Sequence, residues 1–147
     1  MIRDFKITQA KVLKDRICER IWREHGMEIN TGQLMILCYL WNHDHETISQ
    51  ISQQTLLARN TVSITINGMV KKGLVVRNIN PHDRRQTIVS LTAYGKSILA
   101  QYTTVEKQLD ELIYTGFTEQ EREALEGYLT RIIQTMVEYE YTNVRKA

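Results

Sequence analysis

The sequence predicts a mainly α-helical fold in which a helix-turn-helix is followed by a β-hairpin, a winged helix-turn-helix. Helices at its two ends form a dimerisation region. Three observations predict it. One proline and seven glycines in 147 residues leave long stretches free to be helical and argue against a many-stranded sandwich. Two short helical patterns meet at a tight connection around 55–58 and give way at once to two runs of β-branched residues. Both ends carry apolar residues at helical spacing.

Apolar residues at 42% and charged residues at 24% place the chain among globular domains, and its length suits one domain over 1–147. Two cysteines make no disulfide framework, and Met1-Ile2-Arg3-Asp4 does not open a leader, so a reducing, cytoplasmic setting is expected. No run approaches the roughly eighteen apolar residues of a membrane span.

In chain order, residues 5–25 read as a helix through Phe5, Val12, Leu13, Ile17, Ile21 and Trp22, with Gly26 as its stop. Residues 31–43 form the next, capped by Thr31, with Leu34, Leu37, Cys38 and Trp41 on its apolar face. A polar turn, 42–46, precedes two helical turns over 47–54 that face Ile48 and Ile51 inward. A helix from about Arg59 to Lys72 then buries Val62, Ile66, Met69 and Val70 and closes at Gly73. Residues 74–79 and 87–91 read as strands joined by a long, turn-rich loop, Asn80-Pro81-His82-Asp83-Arg84-Arg85-Gln86. Thr92 caps a helix towards Ile113 that faces Ile98, Leu99, Val105, Leu109 and Leu112 inward. Thr118 and Glu121 form a capping box for a last helix striped by Leu125, Tyr128, Leu129, Ile132, Ile133, Met136 and Val137. The winged-helix core is expected at 31–100, and the dimerisation helices at 1–26 and 101–147.

The net charge of +2 conceals its distribution. Residues 1–54 balance seven basic against seven acidic side chains, and 97–147 hold five against nine. Residues 55–96 hold Arg59, Lys71, Lys72, Arg77, Arg84, Arg85 and Lys96 against Asp83 alone, a net of +6. Such a block suits a polyanion. The helix opening Arg59-Asn60-Thr61-Val62-Ser63-Ile64-Thr65 offers Arg59, Asn60, Thr61, Ser63 and Thr65 to a major groove, where Arg and Asn pair with guanine and adenine edges. Its N-terminus also suits a phosphate. Arg84 and Arg85 at the hairpin tip suit a narrow minor groove, while Lys71, Lys72 and Lys96 would meet phosphates or solvent.

Three stretches carry a resemblance: Met69-Val70-Lys71-Lys72-Gly73-Leu74-Val75, Asn80-Pro81-His82-Asp83-Arg84-Arg85, and Val89-Ser90-Leu91-Thr92-Ala93-Tyr94-Gly95. In these the chain resembles the MarR family of bacterial winged-helix regulators, over roughly 31–100. The resemblance implies that Asp83 braces the wing, that Arg85 with Arg84 touches DNA, and that the first and last helices interlock in a homodimer. The apolar surface of the last helix, with Tyr128, Tyr139 and Tyr141, supports a dimer independently. This chain departs from the family in three places. Leu56 stands where relatives place glycine, so a positive φ would strain it or the turn differs. Ala58 stands where relatives have a Ser or Asp cap, so Asn60 or Thr61 could shift the helix start. Ile64 stands where Arg is common and could meet a thymine methyl.

Family members answer to a small molecule, metal or oxidant, and three features could serve. Cys18 and Cys38 lie among apolar neighbours, which favours packing over redox sensing. His43-Asp44-His45-Glu46 reads as a solvated turn more than a metal site, with only His82 downstream. Trp22, Tyr39 and Trp41 could line an effector pocket or simply pack. The expected function is sequence-specific binding of double-stranded DNA by a homodimer, as a repressor on a pseudo-palindromic operator, released by an effector. The alternative is a winged-helix protein-contact module, which leaves Arg84 and Arg85 to an acidic partner. No glycine-rich phosphate loop or catalytic constellation points to an enzyme, and no cofactor or metal is expected.

Overall fold

The structure, a computed structural model, describes residues 5–143, with side chains from residue 6 onward. The reading of Met1-Ile2-Arg3-Asp4, the stripe position of the Phe5 side chain and residues 144–147 lie outside the described part. The elements run α1 (Phe5–Glu24), α2 (Thr31–Asn42), β1 (Glu46–Thr47), α3 (Ile48–Thr55), α4 (Arg59–Lys71), β2 (Val75–Asn80), β3 (Asp83–Leu91), α5 (Ala93–Ile113) and α6 (Glu119–Asn143). They fall into two compact units, Met1–Leu109 and Asp110–Ala147. Among the described residues no helix is long and apolar enough to cross a membrane.

Local chemistry sets the starts and stops in the first unit. The cap of α2 is Asn30, not the expected Thr31: Asn30 Oδ1 accepts the Gln33 N–H at 2.8 Å, and Gln33 Oε1 accepts the Asn30 N–H at 3.2 Å. This reciprocal pair meets two otherwise orphaned donors. Thr47 caps α3 by accepting the Gln50 N–H, and Thr92 caps α5 by accepting the Gly95 N–H at 3.0 Å.

The sheet is antiparallel in the order β1-β3-β2. The two-residue strand β1, which the sequence reading placed in a turn and a helix start, pairs Glu46 with Val89 and Thr47 with Ile88. The hairpin also differs from expectation. β3 begins at Asp83, which pairs with Asn80, so only Pro81 and His82 lie between the strands, with an irregularity at Ile79/Asn80. The strand reaches Asp83, yet the ladder passes from the Ile79–Thr87 pair straight to the Asn80–Asp83 pair, so Arg84, Arg85 and Gln86 form a bulge within the supposed loop.

Val62, Ile66 and Met69 of α4 meet Ile36, Leu37 and Leu40 of α2, Ile51 of α3, Val75 and Val89 of the sheet, and Ile98 and Leu99 of α5 in a continuous core. Expected core members that lie outside it are Val12, Leu13 and Ile17 of α1, Trp41 of α2 and Val70 of α4. At the junction of wing and α5, the Leu74 carbonyl accepts both the Thr92 N–H (3.1 Å) and the Thr92 hydroxyl (3.0 Å). A Cβ on Gly95 would stand 2.2 Å from that same oxygen. The glycine of the Leu-Thr-x-x-Gly stretch is therefore required by close approach.

The second unit holds the end of α5 and α6. Thr118 Oγ1 accepts the Glu121 N–H at 3.1 Å, which is the Thr118 half of the expected capping box. Arg122 pairs with Asp110 and lies over the Tyr114 ring at 4.5 Å, and the Tyr114 hydroxyl donates to Glu126. None of the residues of α6 is buried; Leu125 and Leu129 are half-buried, and Ile132, Ile133, Met136 and Val137 are exposed. Leu112, expected inward on α5, is exposed too.

Leu56 does adopt the left-handed conformation, φ 63° and ψ 9°, so the turn has not adjusted to spare it. Its neighbours hold it there: the Ser52 hydroxyl donates to the Leu57 carbonyl at 2.7 Å and the Thr55 hydroxyl to the Ile51 carbonyl at 2.6 Å. Left-handed backbone costs a residue with a Cβ roughly 1–2 kcal/mol, and glycine adds back about 0.5–1 kcal/mol of chain entropy. Because Leu56 is 59% exposed and little burial is at stake, Leu56→Gly should stabilise the protein by roughly 0.5 kcal/mol or more in urea unfolding. Gly95→Ala should cost about 1–3 kcal/mol in the same measurement.

Candidate nucleic-acid interface

The helix-turn-helix presents α4 with an exposed first turn. Arg59, Asn60 and Thr61 are exposed, and Ser63 and Thr65 are half-buried. The helix starts at Arg59 with Ala58 as an N-cap that makes no side-chain bond, so neither Asn60 nor Thr61 shifts the start. The Thr65 hydroxyl is used locally, donating to the Thr61 carbonyl at 2.7 Å. Ile64 is 72% exposed on this otherwise polar surface.

On the wing, Asp83 Oδ1 accepts the backbone N–H of Arg85 at 3.1 Å and its Nε–H at 3.2 Å. With the Arg85 side chain 92% exposed, such a pair adds little stability and serves to orient the guanidinium. Arg84 and Arg85 lie in β3 beside the turn, not at its tip. Arg77 of β2 donates to Asn67 of α4, which ties wing to helix.

Four of the anticipated residues come together. Arg59, Asn60, Ser63 and Arg85 line a cleft of about 380 Å³. Thr47 and Ser49 at the start of α3, and Gln86 and Thr87 of β3, complete most of its wall. The cleft has two arginines and no carboxylate among its lining residues. Thr61, Thr65 and Arg84 are not part of it. Sequence reasoning missed Thr47, Ser49, Gln86 and Thr87; the first two were legible as the cap and first turn of α3, the others only once β3 was known to extend to Asp83. Lys72 does not line the cleft; it is exposed, and its Nζ donates to the Glu28 carbonyl (2.7 Å) and to Gln33 Oε1 (3.1 Å).

A MarR family profile matches residues 29–87, from the end of the loop before α2 into β3. Over this stretch the chain is similar to the MarR family. The chain is 26% identical over 110 residues, 74% of each chain, to the transcriptional regulator MhqR of Bacillus subtilis. Its fold is similar to that of a mutant MarR from E. coli complexed with operator DNA (TM-score 0.81, 23% identity, 89% of this chain and 94% of that one). It is also similar to BpsR of Bordetella bronchiseptica, described with 6-hydroxynicotinic acid (TM-score 0.79, 20% identity, 90% and 92%). These MarR-type relatives are transcriptional regulators, not enzymes.

Around this MarR-like core the sensing candidates occupy separate settings. Trp22 is buried edge-on against Tyr102, and its Nε1–H meets no acceptor among the described residues. Tyr39 stacks on His43, and burial together with Glu46 holds its phenol above the ordinary range. Trp41 is exposed. His43-Asp44-His45-Glu46 is less a solvated turn than a fastening for β3: Asp44 Oδ1 accepts the Leu91 N–H at 2.9 Å, and His45 Nδ1 lies 2.6 Å from Ser90 Oγ. Among the described residues no three His, Cys, Asp or Glu side chains are placed to hold a metal.

Cys18 is buried and Cys38 half-buried. Burial pushes both thiols up, Cys38 further opposed by Glu106. Thiolate is the reactive form, so a raised pKa withholds it near neutrality. Native protein should react with iodoacetamide at pH 7.5 about tenfold or more slowly than a free thiol. The rate should climb only as pH passes above the usual thiol range, followed by mass spectrometry.

Proposed function

We propose that this chain binds double-stranded DNA as a homodimer and represses transcription from a pseudo-palindromic operator until an effector releases it. The observation that carries the reading is the shared cleft: Arg59, Asn60 and Ser63 of the recognition helix and Arg85 of the wing face one space with no carboxylate in its lining. A polyanion suits that space. Asn60, Thr61 and Ser63 address base edges and backbone from α4, Thr65 stands behind them, and Arg84 and Arg85 reach towards the neighbouring groove. Asp83 braces the wing by holding Arg85. The solved relative complexed with operator DNA has the same fold and supports this assignment.

The dimer is proposed from unburied apolar surface. Ile7, Val12, Leu13 and Ile17 of α1 are exposed, and so are Ile132, Ile133, Met136, Val137, Tyr128, Tyr139 and Tyr141 of α6. Both helices lie in the segments 1–26 and 101–147 assigned to dimerisation, outside the reading core of 31–100. Two readers on one frame double the half-sites and raise specificity. An effector acting near Trp22, Tyr39 or Trp41 would release DNA by its differential affinity for a form whose reading heads stand at another spacing. Trp22 Nε1–H offers such a molecule a buried donor.

The deciding experiment is selection of bound duplexes from a random pool with the purified chain. An inverted repeat in the enriched set is expected; failure to enrich any duplex would overturn the reading in favour of a protein-contact module. With the enriched duplex, affinity should fall about 10³-fold or more between 50 and 200 mM salt. A flat salt response would again favour protein contact. Arg85→Ala should weaken binding to every duplex about tenfold, whereas Asn60→Ala and Thr61→Ala should cost mainly the preference for the enriched sequence, by about 1–3 kcal/mol at the affected base pair.

A further inference from the structure

We propose that the cleft between the start of α3, the start of α4 and strand β3 seats one backbone phosphate of the bound duplex, gripped from both sides by Arg59 and Arg85. The inference rests on the DNA-binding reading above, and it moves Arg59 from reading a base edge to holding the backbone. Arg59 is the first residue of α4, and Arg85 lies in the wing, yet both line the same space of about 380 Å³. Two guanidinium groups at one cleft repel each other; Asp83, outside the lining, meets Arg85 through Nε alone, and the lining itself holds no carboxylate for Arg59 or for the terminal nitrogens of Arg85. A phosphodiester supplies the missing charge, and the planar fork of each arginine matches its oxygens. The Ser49 hydroxyl adds a neutral donor on the same wall.

The Asp83 carboxylate fits the same arrangement. It engages Nε of Arg85 at 3.2 Å, the guanidinium nitrogen that two-pronged pairing through the terminal nitrogens does not need. Thr61 and Ile64, by contrast, do not line the cleft, and Ile64 is 72% exposed. The first turn of α4 thus divides: its wing side clamps the backbone, and the side of Thr61 and Ile64 meets the bases. The clamp fixes how deep α4 sits relative to the wing.

The test uses the full chain and the enriched duplex, with single phosphates replaced in turn by neutral methylphosphonates. Replacement of one phosphate in each half-site should weaken wild type about tenfold and leave the Arg59→Gln, Arg85→Gln double variant where it was. Arg59→Gln alone should lower affinity for all duplexes and leave the enriched sequence unchanged. Both arginines are exposed, and matching thermal unfolding of variant and wild type confirms that the fold is kept. If every replacement affects wild type and double variant alike, or if Arg59→Gln relaxes one base position, the clamp is overturned while the DNA reading stands. Binding of orthophosphate alone that Arg59→Gln abolishes, with no single replacement felt in the duplex, also overturns it and makes the cleft a free-anion site. Absence of duplex binding by wild type overturns both.

Discussion

The candidate interface depends on two backbone pairs. Glu46 with Val89 and Thr47 with Ile88 are the whole of the β1–β3 ladder, and they set the start of α3 beside the wing. Without them Thr47 and Ser49 would not share a wall with Arg85, Gln86 and Thr87. Side chains reinforce so short a ladder at its end: the Asp44 carboxylate takes the Leu91 N–H, and His45 meets Ser90. Buried or half-buried bonds of this kind matter because leaving a donor unmet costs more than making the bond returns. The four polar residues before α3 are the anchor of the wing's central strand.

From that anchor the rest follows by packing. β3 is hydrogen-bonded on both sides, and its buried end joins the core through Val89 and Leu91. The Leu74 carbonyl then gathers the wing and α5 at a point where no side chain fits on Gly95. Arg77 and Asn67 link β2 to the middle of α4. Wing and reading helix are therefore fastened at the base, at mid-height and through the core, so a contact made by one positions the other.

Much of this was legible in the sequence because it rests on local chemistry. The capping residues Thr92 and Thr118, the stripe Val62-Ile66-Met69 and the run of charge around Arg84 and Arg85 each name their own surroundings. What was not legible depends on distant partners. A two-residue strand has no period to detect, and Asp83-Arg84-Arg85-Gln86 reads as a loop until the Asn80–Asp83 pair shows where the hairpin closes. Thr31 lost the cap to Asn30 because the reciprocal bond with Gln33 offers two partners where Thr31 offered one. Trp41, Val70 and Leu112 keep helical spacing yet face outward, since periodicity identifies a stripe without saying how wide the core beneath it is.

The break in the ladder of β3 carries a last consequence. Ile79 pairs with Thr87 and Asn80 with Asp83, so Arg84, Arg85 and Gln86 are three extra residues on one strand with no ladder partner between those two pairs. Strict alternation is suspended there, and the consecutive residues Arg85, Gln86 and Thr87 line one cleft. Extra length on a single strand, more than total charge, therefore aims this arm.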